Sequence, residues 1–487
     1  MRSIPTGAIS LLIISIGPQR QASPKAVSLH PPNSGKRGPR PFKSFSAIQN
    51  SPGKAWDPPR PGRLEGKNSP SCCLRGYDVN DDWLPLGCYD NGWKTNKKNG
   101  LDGHYSCECL PSDLLTNIFS FLSADSFACA KSTCRHWQAC ACTTATYNHY
   151  PHGLTKSPFL LHNFHPPWFI ALPLHNHGLC CYALNPINNN WYVLPLDFLP
   201  DPVRPVGPLE SLLLLRPSNS AFLRLGMCNP FTRQYKPFPT LNIRRTNPAV
   251  GVVHLSTLPF ARNSFLNSRV YVAGGMSEAS SGGATYEPTL EMYDPQLDTW
   301  RIVGSMPMEF AVRLTVWTPK ESVYCDGVLY WMTSARAYSL MGYEIESNMW
   351  RELSVPVADE LEFAVLVSRN GSLTIVGGGA CVLGVCIWEL GEGDVWVLVE
   401  KVPSELEMRL LGERGSWGST KCVGSDGAIY LYRDLWSGMV VWREVGDGNK
   451  WAWFWVDGCF SIRGKKVRNL QIKGVLIHPN LVPSFIF

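Results

Sequence analysis

The sequence predicts a mostly β fold, in which a β-propeller of about six blades over residues 169–487 follows a small helical module. The first observation is a recurring aromatic residue, which stands six positions after the start of a turn. A self-similar period of roughly 45 to 65 residues is typical of propellers and related arrays, and bulky aromatics fill the junctions between blades. The six predicted blade-junction aromatics are Trp191, Tyr235, Trp300, Trp350, Trp396 and Trp451.

The second observation is a set of turn dipeptides, Asp326-Gly327, Asn370-Gly371 and Asp426-Gly427, each of which precedes an apolar run. Such dipeptides supply the positive φ angles of tight hairpins. From these glycines to the next blade-junction tryptophan the separations are 23, 25 and 24 residues, which is room for three strands of ordinary length. The tail from Leu470 to Phe487 is apolar enough to supply a strand that closes the ring. A large β-sandwich is the alternative fold.

Composition excludes some function classes. The 487 residues are 44% hydrophobic, with 45 Lys plus Arg against 39 Asp plus Glu. Residues 1–105 hold 15 of the basic and 7 of the acidic residues, so the rest of the chain is close to neutral. The folded part therefore predicts no broad basic face and no nucleic acid as its main ligand. The 17 cysteines follow no repeating frame, which indicates free thiols and a location in the cytoplasm and/or nucleus.

Residues 1–105 read as a disordered, basic extension rich in Pro, Ser and Gly, because such a composition cannot bury enough apolar surface to fold. The apolar run from Ala8 to Ile16 is too short to span a bilayer, so no membrane segment is predicted. A cleaved organelle peptide is the alternative for this run. The pair Lys36-Arg37 is a weak candidate nuclear address.

A helical module is predicted over residues 106–148, where glycine disappears and the apolar spacing changes. Ser112 is placed to cap the first helix, and Asp113 suits the positive end of the helix dipole. Apolar side chains then recur at spacings of three and four residues, which favours an amphipathic helix. The first series is Leu114, Leu115, Ile118, Phe119 and Leu122, and the second is Phe127, Ala130, Cys134 and Trp137. So small a unit buries little surface, so a partner often completes it.

The module resembles an F-box. The resemblance is carried by the run from Leu110-Pro111 to Leu122, then Ser126-Phe127, then Cys134-Arg135-His136-Trp137. Two positions depart from the usual motif: Ser123 replaces a proline and Phe127 a leucine. The repeats resemble degenerate kelch repeats, with clear glycine pairs at Gly274-Gly275 and Gly377-Gly378. Over residues 106–487 the chain is thus similar to the F-box/kelch-repeat proteins that abound in plants.

The resemblance implies that the chain is a substrate-recognition subunit of an SCF-type ubiquitin ligase. The F-box would bind a Skp-family adaptor and, through it, a cullin-RING ligase, while the propeller binds an unknown protein substrate for ubiquitination. The alternative role is a non-degradative adaptor that binds the Skp partner without a cullin. The implied adaptor contacts are Leu110, Pro111, Leu114, Leu115, Ile118 and Trp137. For Leu115 and Trp137, packing inside the module is the competing interpretation.

Substrate contact is expected on loops, since loops carry recognition while strands carry stability. The two candidate insertions are Met276 to Tyr286, rich in Ser and Gly, and Asp201 to Pro208, rich in Pro. Mobile linkers without a role are the alternative for both.

A metal site or an enzyme, such as a metal-dependent propeller enzyme, is the competing interpretation of the sequence. Paired histidines at His149/His152, His162/His165 and His175/His177, with Cys140 and Cys142 upstream, have zinc-like spacing. Prolines separate these pairs, no second CxxC half follows, and most of them lie in the predicted connector 149–168. A copper oxidase needs converging His ligands, yet only His254 and His478 follow residue 177. No Gly-x-Ser-x-Gly elbow of a hydrolase is present. The sequence therefore predicts no enzyme, no metal and no cofactor.

Overall fold

The structure, a computed structural model, describes most of the chain after residue 109. The predicted extension 1–105, nearly all of the predicted connector 149–168 and its paired histidines lie outside the described residues, so those boundaries stay predictions. The described residues are 110–120, 122, 124–146, 166–174, 180–255, 267–279, 282–317, 322–379, 384–412, 416–445, 450–462, 465–466 and 470–481.

Three short helices come first: α1 (Ser112–Ser120), α2 (Ala124–Thr133) and α3 (Arg135–Thr146). The backbone N–H of Leu115 donates to the carbonyl of Pro111 at 3.0 Å. Ser112, predicted to cap α1 from just outside the helix, is therefore its first residue, and Asp113 also lies in the first turn. An acidic residue there is favourable because the first N–H groups of a helix carry partial positive charge.

The rest of the described chain builds six four-stranded antiparallel sheets, which confirms the predicted propeller of about six blades. Blades 1 and 2 contain β1 (Trp168–Pro173), β2 (Cys180–Asn185), β3 (Asn190–Pro195), β4 (Val203–Leu209), β5 (Leu212–Pro217), β6 (Gly226–Asn229) and β7 (Gln234–Pro237). Blade 3 contains β8 (Ala249–His254), β9 (Ser268–Ala273), β12 (Thr289–Asp294) and β13 (Thr299–Ser305). A hairpin, β10 (Met276–Glu278) with β11 (Ala284–Tyr286), is inserted within blade 3.

Blades 4 to 6 follow the same plan. Blade 4 contains β14 (Ser322–Cys325), β15 (Val328–Ser334), β16 (Tyr338–Glu344) and β17 (Met349–Ser354). Blade 5 contains β18 (Phe363–Arg369), β19 (Ser372–Gly379), β20 (Gly384–Leu390) and β21 (Trp396–Lys401). Blade 6 contains β22 (Lys421–Ser425), β23 (Ala428–Tyr432), β24 (Met439–Val445) and β25 (Lys450–Val456), and a small hairpin follows, β26 (Ser461–Ile462) with β27 (Lys465–Lys466).

The predicted turn dipeptides connect the first two strands of blades 4, 5 and 6. In blade 4, Asp326 and Gly327 have φ angles of 47° and 79°, and in blade 5 Asn370 and Gly371 have 52° and 81°. Both members of these pairs occupy the left-handed region, which Asn, Asp and Gly tolerate best. The turn chemistry of the sequence therefore sets where these hairpins reverse.

The ring is closed by a strand from the C-terminal tail, β28 (Ile472–Ile477). It pairs antiparallel with β1, with Trp168 opposite Ile477 and Pro173 opposite Ile472, and supplies the innermost strand of blade 1. Each innermost strand contacts that of the next blade, so β28, β4, β8, β14, β18 and β22 form a closed cycle. A ring protects inner edges that an open array would expose, and a sandwich has no such cycle.

The apolar core is divided into six clusters, one at each interface between neighbouring blades. Each predicted blade-junction aromatic lies on the outermost strand of its blade and packs at a different interface. Four of the tryptophans also donate the indole N–H to a carbonyl in or just after the outer strand of the preceding blade. The acceptors are Asp457 for Trp191 (3.2 Å), Pro239 for Trp300 (2.8 Å), Ser305 for Trp350 (3.0 Å) and Ser354 for Trp396 (2.8 Å).

Tyr235 and Trp451 fill the two remaining interfaces without such an indole bond. Tyr235 packs between blades 1 and 2. Trp451 packs between blades 5 and 6, where the guanidinium of Arg369 lies 5.0 Å from its ring centroid. A cation over an aromatic face is attracted by the ring quadrupole. At this interface the arginine contact therefore joins the two blades in place of the indole hydrogen bond.

The prediction of a loop from Asp201 to Pro208 is wrong. The Pro-rich stretch Asp201 to Pro208 was expected to be an exposed insertion, but most of it forms β4, the innermost strand of blade 2. Proline is tolerated there because an innermost strand is also a sheet edge, where a missing N–H is not needed by a second neighbour. A register shift between Pro205 and Gly207 accommodates the irregular backbone. The other expected insertion, Met276 to Tyr286, forms the β10–β11 hairpin.

Two further helices lie in the connections between blades: α4 (Met308–Val316) before blade 4 and α5 (Ser404–Leu411) before blade 6. Phe310, Ala311 and Leu314 of α4 are buried against blades 3 and 4, so this helix extends the core. None of the helices in the described part of the chain has the length and apolar character needed to cross a membrane.

Candidate functional site

The helical module has its own small core. Leu115 is only 1% exposed and packs with Phe119, Ala130, Cys140 and Ala141. The ring of Phe119 makes edge-on contacts with Phe127 at 6.0 Å and with Trp137 at 5.4 Å between centroids. Edge-to-face aromatic pairs add to the stability from burial alone. Leu115 therefore lies inside the module. The half-buried Trp137 packs against the edge of this core through Phe119.

A second set of predicted contact residues lies on the outside of α1. Leu114 is 43% exposed, Pro111 is exposed, and Leu110 and Ile118 are partly exposed. Leu114 and Ile118 are four residues apart, so they are neighbours on one side of the helix. We call Pro111, Leu114 and Ile118 the α1 face. Together these three side chains make a small apolar patch, the kind of surface that a second protein can cover.

Helix α2 carries contacts between the module and the propeller. The carboxylate Oδ2 of Asp125 accepts hydrogen bonds from Asn188 Nδ2 at 3.1 Å and from Tyr192 Oη at 3.3 Å, both in blade 1. Partial burial, and secondarily the negative charge of Asp125, raises the pKa of Tyr192, which keeps the phenol protonated as a donor. Ala124 packs beside the apolar cluster between blades 1 and 2. These contacts engage α2 rather than the α1 face.

The Asp125 contacts were not predicted from the sequence. Asp125 lies in a segment that reads only as a helix start, and Asn188 lies in a segment that reads only as a turn. Since Asp125 lies more than 60 positions from both Asn188 and Tyr192 along the chain, no local pattern joins it to them. A covarying pair of positions would have been the signal.

Cavities with polar walls occur in the described part of the propeller. One, of about 390 Å³, lies at the junction of blades 4 and 5 and includes Cys325, Tyr330 and Arg351. Arg351 is already engaged there, since its guanidinium donates to Tyr330 Oη and to Asp394 Oδ1. Burial, with Asp326 nearby, raises the pKa of the Cys325 thiol to about 12. A thiol protonated at neutral pH is a poor nucleophile, so this cavity offers no reactive cysteine.

Other buried cysteines are also structural in character. Burial raises the pKa of Cys181, Cys228 and Cys386, and each packs in a cluster between blades. Among the residues that the structure describes, no group of three or more His, Cys, Asp or Glu is placed to hold a metal ion.

Two family models match the chain. The model described as F-box-like matches residues 107–150, which contain α1, α2 and α3. The model described as Kelch motif matches residues 261–307, which contain β9 to β13 of blade 3. The chain thus combines an F-box-like segment with a kelch motif, and in this it is similar to F-box/kelch-repeat proteins.

The chain is similar to several curated proteins of Arabidopsis thaliana. F-box only protein 6 is 22% identical over 389 residues, covering 76% of this chain and 73% of the relative. An F-box protein is 22% identical over 370 residues, covering 73% of this chain and 82% of the relative. An F-box/kelch-repeat protein is 23% identical over 317 residues, covering 60% of this chain and 72% of the relative.

The glycine pair of the kelch match has a clear structural reason. Gly274 and Gly275 have φ angles of 66° and 95°, in the left-handed region. A Cβ on Gly275 would lie 2.9 Å from the carbonyl oxygen of Thr246, closer than a real Cβ contact allows. The pair therefore lets the chain turn tightly after β9 while the segment from blade 2 passes against it.

Proposed function

We propose that this chain is a substrate-recognition subunit of an SCF-type ubiquitin ligase. The α1 face docks a Skp-family adaptor, which links the chain to a cullin-RING ligase. The propeller holds a protein target for ubiquitination. The observation that carries this proposal is the exposed Leu114 beside the buried Leu115, on a segment that matches the F-box-like family.

The division between these two leucines refines the predicted contact set. Pro111, Leu114 and Ile118 are accessible and are assigned direct contact with the adaptor. Leu110 is partly buried against the module core and borders that surface. Leu115 and Trp137 are assigned support from within, because a rigid interior holds the contacting side chains in place. An apolar anchor in such an interface is worth about 2 kcal/mol or more of binding free energy.

The chain contributes no bond-forming chemistry in this proposal. It brings a target near a ubiquitin-loaded enzyme, and raising the local concentration is the contribution to rate. Its proposed place is the cytoplasm and/or nucleus, where free thiols persist.

The test uses Leu114→Asp in the full chain, with binding to a purified Skp-family adaptor measured by calorimetry. We expect affinity to fall roughly thirty-fold or more, as loss of an anchor of about 2 kcal/mol implies. The fold should survive, because an exposed acidic side chain in the first turn of a helix is favourable. The matched control is Met308→Asp, also at an exposed residue in the first turn of a helix, α4 of the propeller.

Equal adaptor affinity for the wild type and Leu114→Asp would contradict the docking assignment. Adaptor binding that never extends to a cullin would favour the alternative, a non-degradative adaptor.

A further inference from the structure

The outer edges of the propeller blades are protected in different ways. An outermost strand has a single neighbour, so part of its backbone N–H and C=O groups face outward and can pair with another chain. Charged side chains on such a strand discourage this pairing. The outer strands of blades 2, 3 and 4 carry charged residues, which are Lys236, Arg301, and Arg351 with Glu352.

Blades 1 and 6 have largely uncharged outer strands that are met by other parts of the chain. Tyr192 of β3 donates to Asp125 of the helical module. Arginines lie over aromatic rings of β25, with 5.0 Å to the centroid for Trp451, 4.0 Å for Trp455 and 4.5 Å for Phe454. Both strands are thus partly covered by polar groups of the same molecule.

Blade 5 has neither form of protection. We call residues 395–399, all of them uncharged, the blade 5 edge. Within the described residues, its strand β21 pairs only with β20. Four large apolar side chains of the edge are exposed: Val395 by 60%, Val397 by 55%, Leu398 by 47% and Val399 by 37%. An apolar run on an open sheet edge is typical of a surface that another polypeptide covers.

The backbone of the blade 5 edge can accept one more strand. The N–H of Gly391 donates to the carbonyl of Val395 at 2.8 Å, so the carbonyl of Val395 points toward β20. Backbone groups alternate in direction along a strand, so those of Trp396 and Leu398 point away from β20. The register with β20 then skips Val399, and a bulge of this kind interrupts regular pairing. The stretch that can pair therefore ends at Leu398.

The side chains indicate which strand would fit. Val397 and Leu398 are consecutive, so they lie on opposite faces of the sheet, and an added strand would meet apolar side chains on both faces. Charges flank the edge, with an excess of acids: Glu392, Asp394, Glu400 and Glu405 against Arg351 and Lys401. Complementary charge favours a partner with basic residues at both ends. Two copies of this chain paired antiparallel would bring their acidic flanks together, so the charge disfavours a second copy.

We propose that the blade 5 edge binds an extended segment of the target protein as a fifth strand, and that this segment is apolar and flanked by Lys or Arg. The proposal rests on the proposed function, because it names the part of a target that the propeller holds. Main-chain hydrogen bonds to Trp396 and Leu398 supply affinity, and the side chains supply selectivity. Apolar segments are mostly buried in folded proteins, so the edge selects targets that expose one.

The test measures binding of degenerate peptides to the full chain by fluorescence anisotropy. The first library has five central positions drawn from Val, Ile, Thr and Tyr, with two Lys at each end. A second library has Glu at the ends, and a third has Lys ends and N-methyl groups on all five central residues. We expect the first library to bind roughly ten-fold or more tightly than either of the others, because only it offers both basic ends and backbone donors.

A charged substitution in the edge provides the matched variant. Leu398→Lys should weaken binding of the first library roughly ten-fold or more, since a charge on an edge strand opposes pairing. Ile302→Lys, at a residue that is 53% exposed on the outer strand of blade 3, should not. Both variants should melt close to the wild type, because substitutions at exposed positions change stability little.

Hydrogen exchange followed by mass spectrometry gives the location. The first library should slow exchange in fragments that contain β21 and leave those that contain β13 unchanged. Slower exchange at β13 but not at β21 would contradict the assignment of the site.

Three further results would overturn the proposal. One is equal affinity for the first library and either comparison library, and another is undiminished binding by Leu398→Lys. The third is a concentration-dependent dimer of the full chain, seen by analytical ultracentrifugation and dissociated by Leu398→Lys, which would assign the edge to a second copy. Adaptor binding is measured separately and should be equal for the wild type and Leu398→Lys. Its absence from the wild type would refute the proposed function while leaving the peptide result to judge the edge.

Discussion

At the scale of single residues, adjacent leucines in α1 face opposite environments. Leu115 is 1% exposed among the rings and small side chains of α1, α2 and α3, whereas Leu114 is 43% exposed. Helical geometry explains the division, since neighbouring residues point about 100° apart around the axis. The apolar spacing of the sequence predicted that both leucines belong to this helix, but not which of them the module buries.

The leucines should therefore differ in what they do for stability. Leu115→Ala should destabilise the module by about 2–5 kcal/mol, because it leaves a cavity in a small core. Leu114→Ala should change stability by about 0.5 kcal/mol or less, as for most surface positions. Hydrogen exchange followed by mass spectrometry on peptides from α1 and α3 measures this locally. Equal loss of protection in the two variants would contradict the assignment of Leu115 to the interior.

At the scale of elements, a buried ion pair joins the connection between blades 2 and 3 to strand β12 of blade 3. Arg245 and Glu291 are fully buried, with 2.5 Å between guanidinium Nη2 and carboxylate Oε1. Arg245 also donates to the carbonyls of Gly274 and Thr289, each at 3.0 Å. Glu291 accepts the backbone N–H of Asn242 at 2.8 Å. Every charge thus has several partners, which a buried pair needs to be tolerated.

Breaking this pair on one side should be costly. Arg245→Met leaves the Glu291 carboxylate buried without its cation, a change expected to cost about 3–5 kcal/mol. Adding Glu291→Leu should restore much of the loss, because two apolar side chains can replace a buried pair. Urea denaturation of the wild type, both single variants and the double variant gives the coupling between the two residues. Additive losses in the double variant would show that the pair does not act as a unit.

The elements also show where sequence patterns succeed and fail. The six aromatics and the Asp-Gly and Asn-Gly turns are local signals, and they placed strands in every blade. The stretch from Asp201 to Pro208 misled because prolines usually mark loops, whereas here they occupy a sheet edge. Arg245 and Glu291, 46 positions apart, meet only in the folded chain. No spacing along the chain predicts such contacts.

At the scale of the whole molecule, the ring depends on one strand from the C-terminal tail. Ile472, Val475 and Ile477 of β28 are fully buried, and β28 holds one edge of β1. The apolar tail predicted a closing strand, and the structure supplies the register. Residues 482–487 lie outside the described part of the chain. A truncation that removes only these residues can serve as the control for one that also removes β28.

Truncation after Leu470 should open the ring. Without β28, the backbone groups of β1 lose their partners and buried apolar surface is exposed, so we expect aggregation or loss of the cooperative thermal transition. Truncation after Leu481 keeps β28 and should leave the transition in place. Thermal melting followed by near-ultraviolet circular dichroism compares the two. An unchanged transition after removal of β28 would contradict closure by this strand.

The whole molecule combines a helical module that has an exposed apolar face with a closed propeller, to which α2 attaches the module. We propose that this face recruits a ligase while the ring holds a target. The most direct measurement is affinity purification of the full chain from plant cells, with the retained proteins identified by mass spectrometry. The account predicts a Skp-family adaptor and a cullin together with the wild type and neither with Leu114→Asp. Recovery of the same proteins by both chains, or of neither by the wild type, would contradict it.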